Sequence, residues 1–157
     1  MAESSAKHRA AGSFDAFRLS REHAVLAGRL DASTLPRVAD RLAPGNAPID
    51  WRIAGAQDGF GRAALDVDLD GHVFLECQRC LAPFEWPVHQ SMRLLLARDA
   101  RELARLDADN VEEVALATGP LDPRTLVEDE LTLMLPFAPR HAEGTCSPPA
   151  DERASRR

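Results

Sequence analysis

Cys77-Gln78-Arg79-Cys80 is the sharpest chemical signal in this chain of 157 residues. Two thiols separated by two residues can hold one metal ion from a single turn, or act as a redox pair. The third cysteine, Cys146, follows His141 in a His-x4-Cys spacing. Together Cys77, Cys80, His141 and Cys146 have the ligand types of a Cys3His zinc site, so zinc is the candidate cofactor. The two pairs lie roughly sixty residues apart, so only folding could join them. The plainer alternative is a hydrogen-bonded turn with free thiols. A thioredoxin-like role fits less well, because that motif opens a helix in an α/β fold.

Other residues offer weaker chemistry. His23, His72 and His89 are scattered, with no serine or carboxylate in a recognisable catalytic arrangement. Arg93, Arg98, Arg101 and Arg105 could face RNA, but interleaved acids read more simply as a solvated surface. Trp51 and Trp86 could stack on bases. Their alternating positions read more simply as core.

The elements around the cysteines follow from periodicity. Ile49, Trp51 and Ile53 alternate with Asp50 and Arg52, which predicts a half-buried strand. From Leu65 to Cys77 every odd position except Gly71 is apolar. A hairpin at Asp70-Gly71 would put Leu65 opposite Glu76 and mix apolar with polar side chains. One long strand over 64–77 is therefore expected, with a bend or bulge at Gly71. Apolar residues resume on even numbers at Phe84, Trp86 and Val88, then Met92, Leu94 and Leu96, a second long strand over 83–97. The thiol turn sits where the two strands meet. His23–Leu30 reads as a further short strand.

Two helices are expected. Leu35, Val38, Ala39 and Leu42 share one helical face, with Ser33 or Thr34 as cap and Pro36 in the first turn. Asp122-Pro123 starts the longer helix, which runs to Met134 or Leu135 before Pro136 stops it. Leu126, Val127, Leu131, Leu133 and Met134 gather on its apolar side, while Glu128, Asp129 and Thr132 face away. Glu130 falls inside the apolar arc. A buried carboxylate needs a partner, and Arg79 is the first candidate. The alternative places Glu130 at the edge of the stripe, in water.

The predicted fold is α+β: an antiparallel meander with two long strands, packed by one short and one longer helix. Residues 1–12 read as a disordered lead-in, 13–146 as one domain, and 147–157 as a polar tail. Within the domain, 98–120 reads as an acidic, solvated connection with a brief strand near Val111, Val114 and Leu116. A net charge of −6 argues against a general nucleic-acid binder, DNA included. No apolar run approaches the roughly 20 residues that span a bilayer. An odd cysteine count, with no secretory leader at Met1–Arg9, predicts a reduced, cytoplasmic setting.

Cys77-Gln78-Arg79-Cys80-Leu81, the run Leu126-Val127-Glu128-Asp129-Glu130-Leu131, and Leu135-Pro136 with Pro139, His141 and Cys146 resemble the YceD family. The resemblance runs from about Gly28 to Cys146. It marks Arg79, Glu128, Asp129 and Glu130 as motif residues. It implies a bacterial, cytoplasmic, non-enzymatic factor in synthesis, processing or stability of large-subunit ribosomal RNA. Its expected partners are ribosomal RNA precursor or ribosome-assembly proteins. No catalytic residue carries over. The competing functions are an enzyme acting on RNA or thiols, and a zinc-stabilised protein-interaction adaptor.

Overall fold

The computed structural model describes residues 12–146. The expected tail, and all of the expected lead-in except Gly12, lie outside the described residues. Five strands form one sheet: β1 (Val25–Asp31), β2 (Pro48–Gln57), β3 (Ala63–Glu76), β4 (Pro83–Ala97) and β5 (Glu113–Leu116). They lie in sequence order. β1 to β4 are an antiparallel meander, and β5 joins β4 in parallel.

The β3–β4 register pairs Leu65 with Leu94, Val67 with Met92, Val73 with Trp86 and Leu75 with Phe84. Alternation therefore gives the sheet one apolar face, and Ile49, Trp51 and Ile53 extend it onto β2. The opposite face carries cross-strand ion pairs, Arg29 with Asp50, Arg52 with Asp68 and Arg93 with Asp66. The exposed Arg29–Asp50 and Arg52–Asp68 pairs add little stability individually, while the bidentate Arg93–Asp66 pair is part-buried.

β3 runs through Gly71 without interruption, as the phase of its apolar residues predicts. No bulge occurs: Gly71 pairs with Ile49 on one side and Val88 on the other in unbroken register. Glycine is needed there because a Cβ would sit 2.2 Å from the Pro48 carbonyl oxygen.

Among the described residues four α-helices accompany the sheet: α1 (Ala16–Glu22), α2 (Pro36–Ala39), α3 (Ala100–Asp109) and α4 (Pro123–Met134). α4 begins as its sequence predicts, with Asp122 accepting the Arg124 N–H at 2.9 Å and Pro123 in the first turn. Leu126, Val127 and Leu131 join the buried cluster on the apolar sheet face. Each such side chain contributes on the order of 1.5–3 kcal/mol. Leu133, expected on that side, is instead 70% exposed.

Arg41 closes the far end of α4. Its guanidinium donates to the carbonyls of Thr132 (2.9 Å), Leu135 (2.8 Å) and Pro136 (3.3 Å). A cation at this end also complements the helix dipole.

Two expectations are corrected. The helix expected over Leu35–Leu42 is only the single turn of α2, preceded by a 3-10 turn at Ala32–Thr34. Neither Ser33 nor Thr34 caps α2, whose N-cap Leu35 makes no side-chain cap bond; Asp31 caps the preceding 3-10 turn through the Ser33 N–H at 2.9 Å. The connection 98–120 is more ordered than its acidity suggests. Asp99 accepts the Glu102 N–H at 2.8 Å while Glu102 accepts the Arg98 N–H at 2.7 Å, and this exchange starts α3. α1 contains Phe17 and Leu19 and is capped by Asp15 through the Arg18 N–H at 3.0 Å.

Candidate metal centre

Beyond Gly71 the β3 and β4 strands lose β2 as a neighbour. Residues 72–76 pair only with 83–87. This two-stranded ribbon ends in the turn Cys77–Cys80. Cys77 N–H donates to the Ala82 carbonyl at 3.0 Å, and Leu81 N–H to the Cys77 carbonyl at 2.8 Å. Leu81 adopts a left-handed φ of 61° to complete the turn. A branched residue there carries about 1 kcal/mol of strain or more.

The segment after α4 returns to this corner. Pro136 ends the helix, and the Pro139 carbonyl accepts the Gln78 N–H at 2.9 Å. His141 and Cys146 thereby meet the turn cysteines. Cys77 Sγ lies 3.8 Å from Cys146 Sγ, and Cys80 Sγ lies 3.4 Å from His141 Nδ1. All four potential ligand atoms fall within 4.8 Å of one another. Phe84, at a ring-centroid distance of 4.8 Å, packs on the His141 imidazole and fixes its orientation.

The electrostatics suit anionic sulfur. Burial opposes ionisation of Cys77. The backbone N–H groups of Cys80, His141 and Arg79, together with the His141 side chain, outweigh it and bring the thiol down to about 5. Cys146 goes the other way, pushed up to about 11 by burial and by the sulfurs of Cys80 and Cys77. Thiols so close together cannot all be anionic unless a cation lies between them. A tetrahedral ion with sulfur at about 2.3 Å and nitrogen at about 2.0 Å has S···S edges near 3.8 Å and S···N edges near 3.5 Å. The observed spacings of 3.8 and 3.4 Å match those edges.

The remaining candidates lie elsewhere. Arg79 contributes its backbone N–H to Cys77, while its side chain is exposed and has no hydrogen bond or ion pair among the described residues. The expected Glu130–Arg79 pair does not form. Glu128 and Asp129 do not simply face water: both engage Arg37. Glu128 accepts the Arg37 backbone N–H at 2.7 Å and lies 3.4 Å from its Nε, and Asp129 meets the guanidinium.

Glu130 is only 6% exposed, yet has no hydrogen-bond or ion-pair partner among the described residues. Burial first, then the nearby charges of Glu113 and Asp129, push its carboxyl up to about 7. The site that sequence reasoning missed is thus the cavity around Glu130. Its signal was present, as a carboxylate inside an apolar arc.

His23 and His89 are exposed, and His72 packs edge-on to Phe74 at 5.6 Å. Trp51 belongs to the buried core cluster, and Trp86 is partly buried at the margin of that cluster. Of the arginine strip, Arg93 pairs with Asp66, while Arg98 and Arg105 lie 3.7 and 3.6 Å from Glu102.

Fold and site together define a small α+β domain with a Cys3His cluster at the corner of a β-ribbon. Residues 65–156 match the family model described as large ribosomal RNA subunit accumulation protein YceD. The chain belongs to that family. No solved structure matches it.

Proposed function

We propose that this protein supports the accumulation of large-subunit ribosomal RNA in the cytoplasm as a non-enzymatic assembly factor. Its thiol corner holds one structural zinc ion. The observation that carries this reading is the closed donor set. Cys77, Cys80, His141 and Cys146 supply four ligands within 4.8 Å, which leaves a tetrahedral ion no open position for substrate. Three thiolates and an imidazole also suit zinc better than magnesium or calcium. The ion ties the segment after α4 to the ribbon tip. Around that tip stand Arg79, Leu81, Phe137 and Arg140, all exposed. Arginines can take phosphates, and a free phenyl ring can stack on a base. The partner on this reading is ribosomal RNA precursor or a ribonucleoprotein containing it.

The test is capture of the tagged protein from cells at low salt, beside an Arg79→Glu/Arg140→Glu double variant. Large-subunit precursor should accompany the wild type and be depleted with the variant. Cells lacking the protein should hold less large-subunit than small-subunit ribosomal RNA. Cleavage of the precursor by purified protein would overturn the non-enzymatic reading.

A further inference from the structure

The cavity beside Glu130 is independent of the metal centre. It lies between α4 and the β4–β5 edge, measures about 310 Å³, and its walls include Leu94, Val114, Leu126 and Leu133. Glu113, Asp129 and Glu130 also line it, and Arg37 is the one basic residue of the lining. Arg37 is already engaged by Glu128 and Asp129. Glu130 is left more than nine-tenths buried and unpartnered. No fully buried side-chain nitrogen or oxygen among the described residues lacks a partner, so the Glu130 carboxylate oxygens keep some contact with solvent, and Glu130 lines the cavity.

We infer that this cavity receives an arginine or lysine side chain from a basic, extended segment of a partner protein. Three features select that occupant. The lining carries more negative than positive side chains, which attracts a cationic head and repels phosphate, so RNA is disfavoured here. The apolar walls and Leu133, 70% exposed at the rim, accept the aliphatic stem that arginine and lysine carry behind the charge. Finally, β5 is the outermost strand of the sheet. Its outer edge, to which no described residue hydrogen-bonds, can bond an added strand, which would hold the segment while one side chain enters the cavity. A bare metal ion is not the occupant. Among the described residues the only cluster of metal-ligating groups is the Cys3His set, so these three carboxylates do not converge on one point.

The probe is a short fluorescein-labelled peptide alternating arginine with valine, titrated by anisotropy with the full chain at low salt. A counterpart with glutamine for arginine is the control. The wild type should bind the arginine peptide, and the glutamine peptide about tenfold or more weakly, as expected for losing a charge-assisted bond. Glu130→Gln should lose a similar factor while remaining folded, since glutamine keeps the shape and removes a buried charge. Asp70→Asn, on the open sheet face, should bind as wild type does. Equal losses in the two variants would mean undirected attraction and overturn the inference. So would tighter binding of a labelled RNA hairpin than of the peptide. Tighter peptide binding after Arg153, Arg156 and Arg157 are changed to glutamine would show that the chain's own end fills the cavity, and would also overturn it.

Discussion

The thiol corner and the Glu130 cavity solve the same electrostatic problem in opposite ways. At the corner, four ligand atoms lie within 4.8 Å of one another, two of their spacings match the edges of a tetrahedral site, and backbone N–H groups point at the Cys77 sulfur. A metal ion would satisfy all of them at once. In the cavity, the buried Glu130 carboxylate faces further carboxylates, and the one cation of the lining, Arg37, pairs with Glu128 and Asp129 instead. The first arrangement is complete within the domain. The second costs stability in the isolated protein, and residues that do so without local compensation often serve a partner. Removing a group should therefore destabilise the corner and stabilise the cavity.

The largest effect expected is at the corner. Cys146→Ser breaks the donor set and frees the segment after α4, with a loss on the order of several kcal/mol if zinc is bound. The thermal midpoint should fall by about 10 °C or more, read by circular dichroism. A chelator should lower the wild-type midpoint similarly and leave the variant unmoved.

The next effect separates the metal from the helix end that leads to it. Arg41→Ala strands three carbonyls at the end of α4, and urea unfolding should show a loss of about 2–3 kcal/mol. An unchanged midpoint would mean that water replaces the guanidinium without penalty.

In the cavity the sign reverses. The Glu130 carboxyl is raised from 4.5 to about 7 in the folded chain. The neutral form therefore favours folding. That contribution is fully present below about pH 4.5 and is lost as pH rises through about 7. Glu130→Gln should match the wild type at the acid end of this window and exceed it by about 3 kcal/mol at pH 8, measured by urea unfolding across the range. A variant less stable than wild type at pH 8 would show that the carboxylate has a partner.

The smallest effect is Leu81→Gly, which relieves the left-handed backbone in the thiol turn. It should raise stability by about 1 kcal/mol without altering metal content.

The two regions also differed in how far the sequence revealed them. The long strands were legible because apolar residues keep odd phase from Leu65 to Cys77 and even phase from Phe84, and only an uninterrupted β3 satisfies both. The metal-ligand types were legible because few residues bind soft cations. The end of α4 was marked by Leu135-Pro136, but not its closure by Arg41, which reaches α4 from the loop after α2 and leaves no local periodic trace. α3 was hidden for a different reason. Its acids read as solvation, whereas Asp99 and Glu102 were exchanging hydrogen bonds to begin a helix. Glu130 was correctly placed in the apolar arc, but the arginine that reached this part of α4 was Arg37, and it paired with Glu128 and Asp129.

Metal content tests the central claim most directly. Protein purified without chelator should carry about one zinc per chain, and X-ray absorption at the zinc edge should give three sulfurs at about 2.3 Å and one nitrogen at about 2.0 Å. Cys146→Ser should lose the ion. Metal-free wild type with all thiols freely titratable, and a thermal midpoint indifferent to zinc, would contradict the account.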